Sequence, residues 1–251
     1  MKKIIFLSLT FSAILLSCEK IPEAHFHTDT IKPEVGHSVE FISDSHNATR
    51  FEWDFGDGYA SNNENPTHVY TGTGPVTVTL KAFSKSGLSD ESTLKMEVMI
   101  PTLLEIEVRE YYQEYVVPNA DVWLYSSIAD WDKHNNNFLS VGRTDASGTV
   151  VFSDLDPFVY YVDVYEKNHD NQLLRNEDIG FVRTSEIVPN QINRFTAWVD
   201  YYSSKGSGDR STPRSLVIKK LERKVSEKGS PFTNVGTNGW QELYNRRVNK
   251  K

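Results

Sequence analysis

Hydrophobic and polar residues alternate with period two through most of the chain, the signature of strands buried on one side. Phe51, Trp53 and Phe55 fall on one face while Arg50, Glu52 and Asp54 fall on the other. Val76, Val78 and Leu80 repeat the pattern against Thr77, Thr79 and Lys81, and Val39 with Phe41 supplies a further short strand. Asp57-Gly58, Asn62-Asn63 and Gly72-Thr73-Gly74 separate these runs with residues suited to turns. After Pro101 the alternation resumes in Leu104/Ile106/Val108, Val122/Leu124, Val150/Phe152, Tyr160/Val162/Val164 and Phe195/Ala197/Val199. Two sets of short strands predict an all-β chain of two tandem sandwiches, the second with six or seven strands.

The first residues break this pattern. Lys2 and Lys3 precede an apolar stretch from Ile4 to Leu16, which has the charged and hydrophobic regions of a signal peptide and is too short for a spanning helix. The stretch ends in Leu15-Leu16-Ser17-Cys18, which resembles the bacterial lipobox. The resemblance implies cleavage before Cys18, lipidation of that residue and anchoring to a membrane by acyl chains. Cys18 is the single cysteine of the chain, so a disulfide framework and multi-cysteine metal sites are excluded. Asp29-Thr30-Ile31 resembles a short O-glycosylation sequon of exported bacterial proteins, and equally fits a chance match in a strand or linker.

Three blocks carry a second resemblance. Phe51-Glu52-Trp53-Asp54-Phe55-Gly56-Asp57-Gly58, then Pro66-Thr67-His68-Val69-Tyr70, then Gly74-Pro75-Val76-Thr77-Val78-Thr79-Leu80 together resemble a PKD domain, an immunoglobulin-like module, over about residues 23–99. In physical terms Trp53 and Phe55 are expected as core wedges, Gly56-Asp57-Gly58 as a sharp corner, and Tyr70 as packing across the sandwich. The motif therefore reads mainly as scaffold.

The following region is similar to transthyretin-like or carboxypeptidase-regulatory-like modules. The residues that carry this are Val117-Pro118-Asn119-Ala120-Asp121-Val122, Thr144-Asp145-Ala146-Ser147-Gly148-Thr149-Val150-Val151-Phe152 and Leu155-Asp156-Pro157-Phe158-Val159-Tyr160-Tyr161-Val162. Phe158 stands where such modules usually have glycine after proline. The expected organisation is thus a signal peptide at 1–17, a lipidated anchor segment at 18–22, a PKD-like sandwich at 23–100, a transthyretin-like sandwich at 101–202, and a linker with a basic tail at 203–251.

Charge sets the tail apart. Residues 19–101 carry 6 Lys+Arg against 13 Asp+Glu, residues 102–201 carry 7 against 17, and residues 202–251 carry 12 against 4. A basic tail beyond a Gly/Ser-rich linker can meet anionic lipid, polyanionic glycan or an acidic protein surface. Residues 213–228 fit either a helix with Val217, Leu221 and Val225 on one face or, the favoured reading, a strand over Leu216–Leu221 in a third, short or incomplete β-unit with turns at Ser230-Pro231-Phe232 and Asn238-Gly239-Trp240. Nucleic acid is not expected as a partner of an exported, anchored protein.

Candidate chemistry is sparse. The seven histidines form no HExxH motif, and His25 with His27 shares a strand face without an identifiable third ligand. Asp130-Trp131-Asp132-Lys133-His134-Asn135-Asn136-Asn137 offers oxygen ligands but lacks the glycine and glutamate of an EF-hand, and reads as a solvated hairpin loop. Asp54 and Asp57 belong to one turn, unlike a glycosidase pair across a cleft. No GxSxG elbow, phosphate loop or dinucleotide fingerprint occurs. No catalytic residue, metal or cofactor is assigned.

The sequence therefore predicts a non-enzymatic lipoprotein of the bacterial outer membrane, acting as a binding or spacer module for glycan or protein partners. Trp123 and Trp131 are the candidate sugar-stacking residues, with Tyr160 and Tyr161 as further aromatics; any of the four could stack on a sugar if two share an exposed face, and alternating strand positions favour the core for all of them. An alternative is an accessory subunit of an envelope complex docking through the basic tail, and a third reading is an unrecognised hydrolase.

Overall fold

A computed structural model describes residues 20–172, 181–201 and 232–248. Cys18 and the segment 213–228 lie outside the described residues. The structure is built mostly of strands in sandwich sheets, so the all-β, immunoglobulin-like fold class holds. The described residues divide into two compact units: residues 20–31, 38–69 and 75–97 belong to the first, and 32–37, 70–74, 98–172, 181–201 and 232–248 to the second. Among the described residues, no helix is long and apolar enough to cross a membrane.

In the first unit, β1 (Phe26–Thr28), β2 (Ser38–Ser43) and β5 (Thr67–Val69) make one sheet in the order β1-β2-β5. Its partner sheet, ordered β4-β3-β6-β7, comprises β3 (Arg50–Asp54), β4 (Ala60–Ser61), β6 (Gly74–Phe83) and β7 (Ser89–Val98). Alternation decides which side chains meet between them: Val39, Phe41, Phe51, Trp53, Phe55, Val78 and Leu80 are buried. Trp53 sits 5.0 Å from Phe26 and 5.8 Å from Phe41 by ring centroids, and its indole donates to the Asn63 carbonyl at 2.9 Å. Gly56 turns the corner at φ +80°, where a Cβ would lie 2.6 Å from the Thr77 carbonyl oxygen. No side chain fits there.

The second unit is organised, among the described residues, on a sheet of seven strands in one path and an eighth that pairs beside it. Its path is β10-β9-β12-β13-β14-β8-β11, built from β8 (Leu103–Glu110), β9 (Asp121–Tyr125), β10 (Ser140–Arg143), β11 (Thr149–Ser153), β12 (Tyr161–Glu166), β13 (His169–Asp170) and β14 (Ile192–Tyr201). Strands β14 and β8 run parallel, from Ile192 opposite Leu103 to Val199 opposite Glu110. One face buries Leu104, Ile106, Val108, Val122, Leu124, Val162, Val164, Phe195, Ala197 and Val199, the residues whose alternation marks the strands in the sequence. A second apolar cluster of Tyr111, Tyr125, Trp131, Phe181, Val182 and Trp198 draws on the opposite positions, with Trp123 and Tyr161 packed against it. Buried polar side chains fix the connections. Thr144 Oγ1 donates to the Val117 carbonyl and accepts from Ala120 N, each at 2.9 Å, and Asn193 Nδ2 donates to the carbonyls of Leu103 and Val188.

Two features differ from the sequence reading. The stretch expected as a hairpin loop contains a short helix, α1 (Ile128–Lys133), capped by Ser127, whose hydroxyl accepts from Asp130 N. Ile128 and Trp131, three residues apart, both face the aromatic cluster, and this apolar spacing anchors the segment.

The second correction concerns the tail. Residues 232–248 are not a free basic tail: β15 (Phe232–Gly236) pairs antiparallel with β14, from Ile192 opposite Gly236 to Phe195 opposite Phe232. A further helix, α2 (Trp240–Arg246), buries Trp240 and Leu243. Val248 N then donates to the Val151 carbonyl on β11 at 2.8 Å. The charge excess hides a spaced apolar set, Trp240, Leu243 and Val248, that needs the second unit to be buried.

Candidate functional site

The two tryptophans proposed for stacking do not form an exposed pair. Trp131 is fully buried, and its indole donates to the Val162 carbonyl at 3.0 Å. Trp123 packs half-buried against the same cluster. Tyr160 is likewise buried, its hydroxyl donating to the Asp156 carbonyl at 3.1 Å, and burial pushes that hydroxyl up to about 12. Strand alternation cannot tell an aromatic that faces solvent from one covered by a helix laid over the sheet, and α1 covers Trp123 in this way.

The oxygen-rich stretch around Asp130 uses its ligands internally. Asp130 accepts from Asn135 Nδ2 at 2.6 Å, from Ser127 Oγ at 2.7 Å and from Asn137 Nδ2 at 3.2 Å. These hydrogen bonds hold its carboxyl below the usual range. Among the described residues no three His, Cys, Asp or Glu side chains are grouped as a metal site.

Five histidines lie against carboxylates. His27 meets Asp44 at 2.6 Å, His37 meets Asp154 at 2.6 Å, His68 meets Asp57 at 2.8 Å, His134 meets Asp163 at 2.9 Å and His169 meets Glu166 at 2.7 Å. The pair in the PKD-like motif is bound into the scaffold, because the His68 ring also stacks on Phe55 with centroids 4.3 Å apart.

His169 differs from these in its surroundings. The short hairpin β12–β13 sets His169 opposite Tyr201 at the end of β14, ring centroids 5.4 Å apart and planes inclined 60°. From the turn after β8, Tyr115 approaches the other ring nitrogen, Oη to Nε2 2.8 Å, with centroids 5.8 Å apart and planes inclined 81°. His169 is 9% exposed, whereas Tyr115 and Tyr201 are 40% and 54% exposed. Burial first, then the charge of Glu110, holds the Tyr115 hydroxyl above its ordinary value, with Tyr201 and Glu166 adding to the effect. Sequence reasoning missed this cluster, since Tyr115 and His169 are 54 positions apart and neither belongs to a motif.

A separate polar cluster ties α2 to the β10–β11 turn. Asp145 accepts from Ser147 Oγ, Ser147 N, Thr149 N and the Arg246 guanidinium. A small cavity of about 190 Å³ lies beside it, lined by Arg143, Thr149, Val151, Arg246 and Val248.

With these arrangements in hand, the comparisons with known proteins define a class for part of the chain. Residues 20–98 match the PKD domain family, and this stretch is a PKD domain. Collagenase ColA of Bacillus cereus is 34% identical over 160 residues, which cover 64% of this chain and 15% of the collagenase. The chain therefore spans well under a fifth of that relative. Among solved structures, the PKD1 domain of Vibrio anguillarum Epp is 29% identical, the match covering 33% of this chain and 99% of that domain with a TM-score of 0.30. The PKD1 domain of the Vibrio cholerae metalloprotease PrtV is 30% identical over 32% of this chain and 98% of that domain, with a TM-score of 0.29.

Proposed function

We propose that this chain is a non-enzymatic lipoprotein of the bacterial outer membrane, anchored through Cys18, in which a PKD domain and a transthyretin-like sandwich serve as binding or spacer modules for glycan or protein partners. The observation that carries this reading is the fate of the PKD motif. Its chemically capable residues are engaged with one another, Trp53 with Asn63, and His68 with Asp57 and Phe55. A motif whose polar groups are spent on packing supports a scaffold role rather than turnover.

The order of segments supports the anchor. The PKD match begins at residue 20, two positions after the cysteine of the lipobox-like sequence, so the first folded domain follows the lipid attachment point with almost no spacer. The similarity to a small part of a collagenase fits a module that recurs attached to other proteins. The alternative, docking on an envelope complex through the basic tail, rests on the Lys and Arg residues of the sequence between β14 and β15.

Cell fractionation tests the reading. Cys18→Ala is expected to release the protein from the membrane fraction or stall its processing, and unchanged membrane partition overturns the anchor. Immobilised polysaccharides and envelope extracts are expected to retain the wild-type chain without consuming any substrate. Turnover of a member of a hydrolase substrate panel overturns the non-enzymatic assignment.

A further inference from the structure

We propose that Tyr115, His169 and Tyr201 form an aromatic cage on the second unit that binds an alkylated ammonium group. This inference stands apart from the anchor and from any glycan partner, because it rests on one cluster within the second unit.

The arrangement is fixed before any ligand arrives. His169 has both ring nitrogens occupied, Nδ1 by Glu166 at 2.7 Å and Nε2 by Tyr115 at 2.8 Å. The pattern fits Nδ1–H donating to the carboxylate and the tyrosine hydroxyl donating to Nε2. Neither nitrogen is then left to ligate a metal or to act as a base, and what the cluster presents is π surface. Its two outer rings are about half exposed and stand inclined 81° and 60° to the buried imidazole.

Ring inclination selects the shape of the ligand. A flat sugar needs one broad face or coplanar faces on which to lie. A compact, rounded cation can touch several inclined rings at once, each offering the negative centre of its quadrupole. Charge selects the sign. The Glu166 carboxylate lies against His169 Nδ1, and the Glu110 carboxylate, held by Tyr112 N and Gln113 N, lies close enough to raise the Tyr115 hydroxyl. Anions are disfavoured in that field. Lys167 is the nearest basic neighbour in sequence, on the turn between Glu166 and His169. A primary ammonium is strongly hydrated and best satisfied by carboxylates, whereas an alkylated one is weakly hydrated and suited to ring faces.

Choline and its uncharged isostere, in which a tert-butyl group replaces the trimethylammonium, separate charge from shape. Each is titrated into the full chain while the tyrosine ring signals are followed by NMR. Choline is expected to shift the Tyr115 and Tyr201 signals and to bind about tenfold more tightly than the isostere. Tyr201→Leu, at the exposed end of a strand, is expected to weaken choline binding about fivefold or more without changing the circular dichroism of the protein. Glycine betaine and phosphatidylcholine vesicles then distinguish a free solute from a lipid headgroup as the natural source. Equal binding of choline and isostere overturns the proposal, as does choline binding that Tyr201→Leu leaves intact. Absence of any shift at the two tyrosines up to about 0.1 M choline also overturns it, since one cage of this size should act in the millimolar range.

Discussion

Asp57 holds His68 flat against Phe55: the carboxylate lies 2.8 Å from Nε2, and the imidazole stacks at 4.3 Å with its plane only 4° from that of the phenyl ring. The turn that carries Asp57 and the strand β5 that carries His68 are thereby joined at the corner of the first sandwich. Tyr59 closes the other side of the imidazole at 5.6 Å.

This relationship predicts a coupled pair. His68→Ala and Asp57→Ala should each destabilise the PKD domain by about 1–2 kcal/mol, the range of a partly buried hydrogen bond with one ionised partner. The double variant should cost less than the sum, and the shortfall is read from denaturant unfolding of all four proteins. Full additivity would show that the contact contributes nothing.

Trp53 is the largest side chain sealed in the same sandwich, and only 2% of it is exposed. Trp53→Ala removes two aromatic contacts and leaves the Asn63 carbonyl without its indole donor. The expected loss is about 3–5 kcal/mol of domain stability, measured by calorimetry. A thermal midpoint within a degree of the parent would contradict the burial.

How much of this could be read from the sequence depends on what each segment buries. Phe51, Trp53 and Phe55 alternate with charged residues because their strand has one wet face, and the period is visible at once. Trp123 and Trp198 lie on a face that looks as if it should be wet, and they are covered by a cluster that includes Tyr111, Trp131 and Phe181. No local period encodes that cover. The PKD blocks were legible as contiguous motifs, whereas the cage of Tyr115, His169 and Tyr201 exists only once β8, β13 and β14 are brought together. The C-terminal strand and helix were obscured by net charge, which says nothing about the spacing of three apolar residues.

Asp145 gives the second unit a predicted pH dependence. Burial alone would raise its carboxyl, but hydrogen bonds from Ser147, Thr149 and Arg246 outweigh burial and hold it well below the usual range. A depressed folded value means that the stabilisation is complete above the unfolded value of about 4 and is lost as pH falls toward the folded value. Asp145→Asn should therefore lower the thermal midpoint at pH 6, by an amount equivalent to about 1 kcal/mol or less because both partners are partly exposed. The difference between variant and parent should shrink below about pH 4. A difference that grows on acidification would reverse the sign of the assignment.

The C-terminal strand and helix supply the strongest test of the second unit. A free basic tail could be deleted without loss, but β15 completes the pairing of β14, Trp240 is 7% exposed, and Val248 bonds to β11. Removing residues 232–251 strips backbone partners from one strand and uncovers apolar surface on another, so the second unit should melt earlier. Trp240→Ala isolates the packing component and should cost about 3 kcal/mol. A charge-reversed variant, Arg246→Glu, should cost less than Trp240→Ala, because its ion pair with Asp145 is partly exposed and screened by salt. Hydrogen exchange separates the two units in one experiment: faster exchange in β14 and β11 with unchanged protection in β3 and β6 is expected for the truncation. Unchanged protection throughout would mean that the segment adds nothing to the fold, and its basic residues would again be its main property.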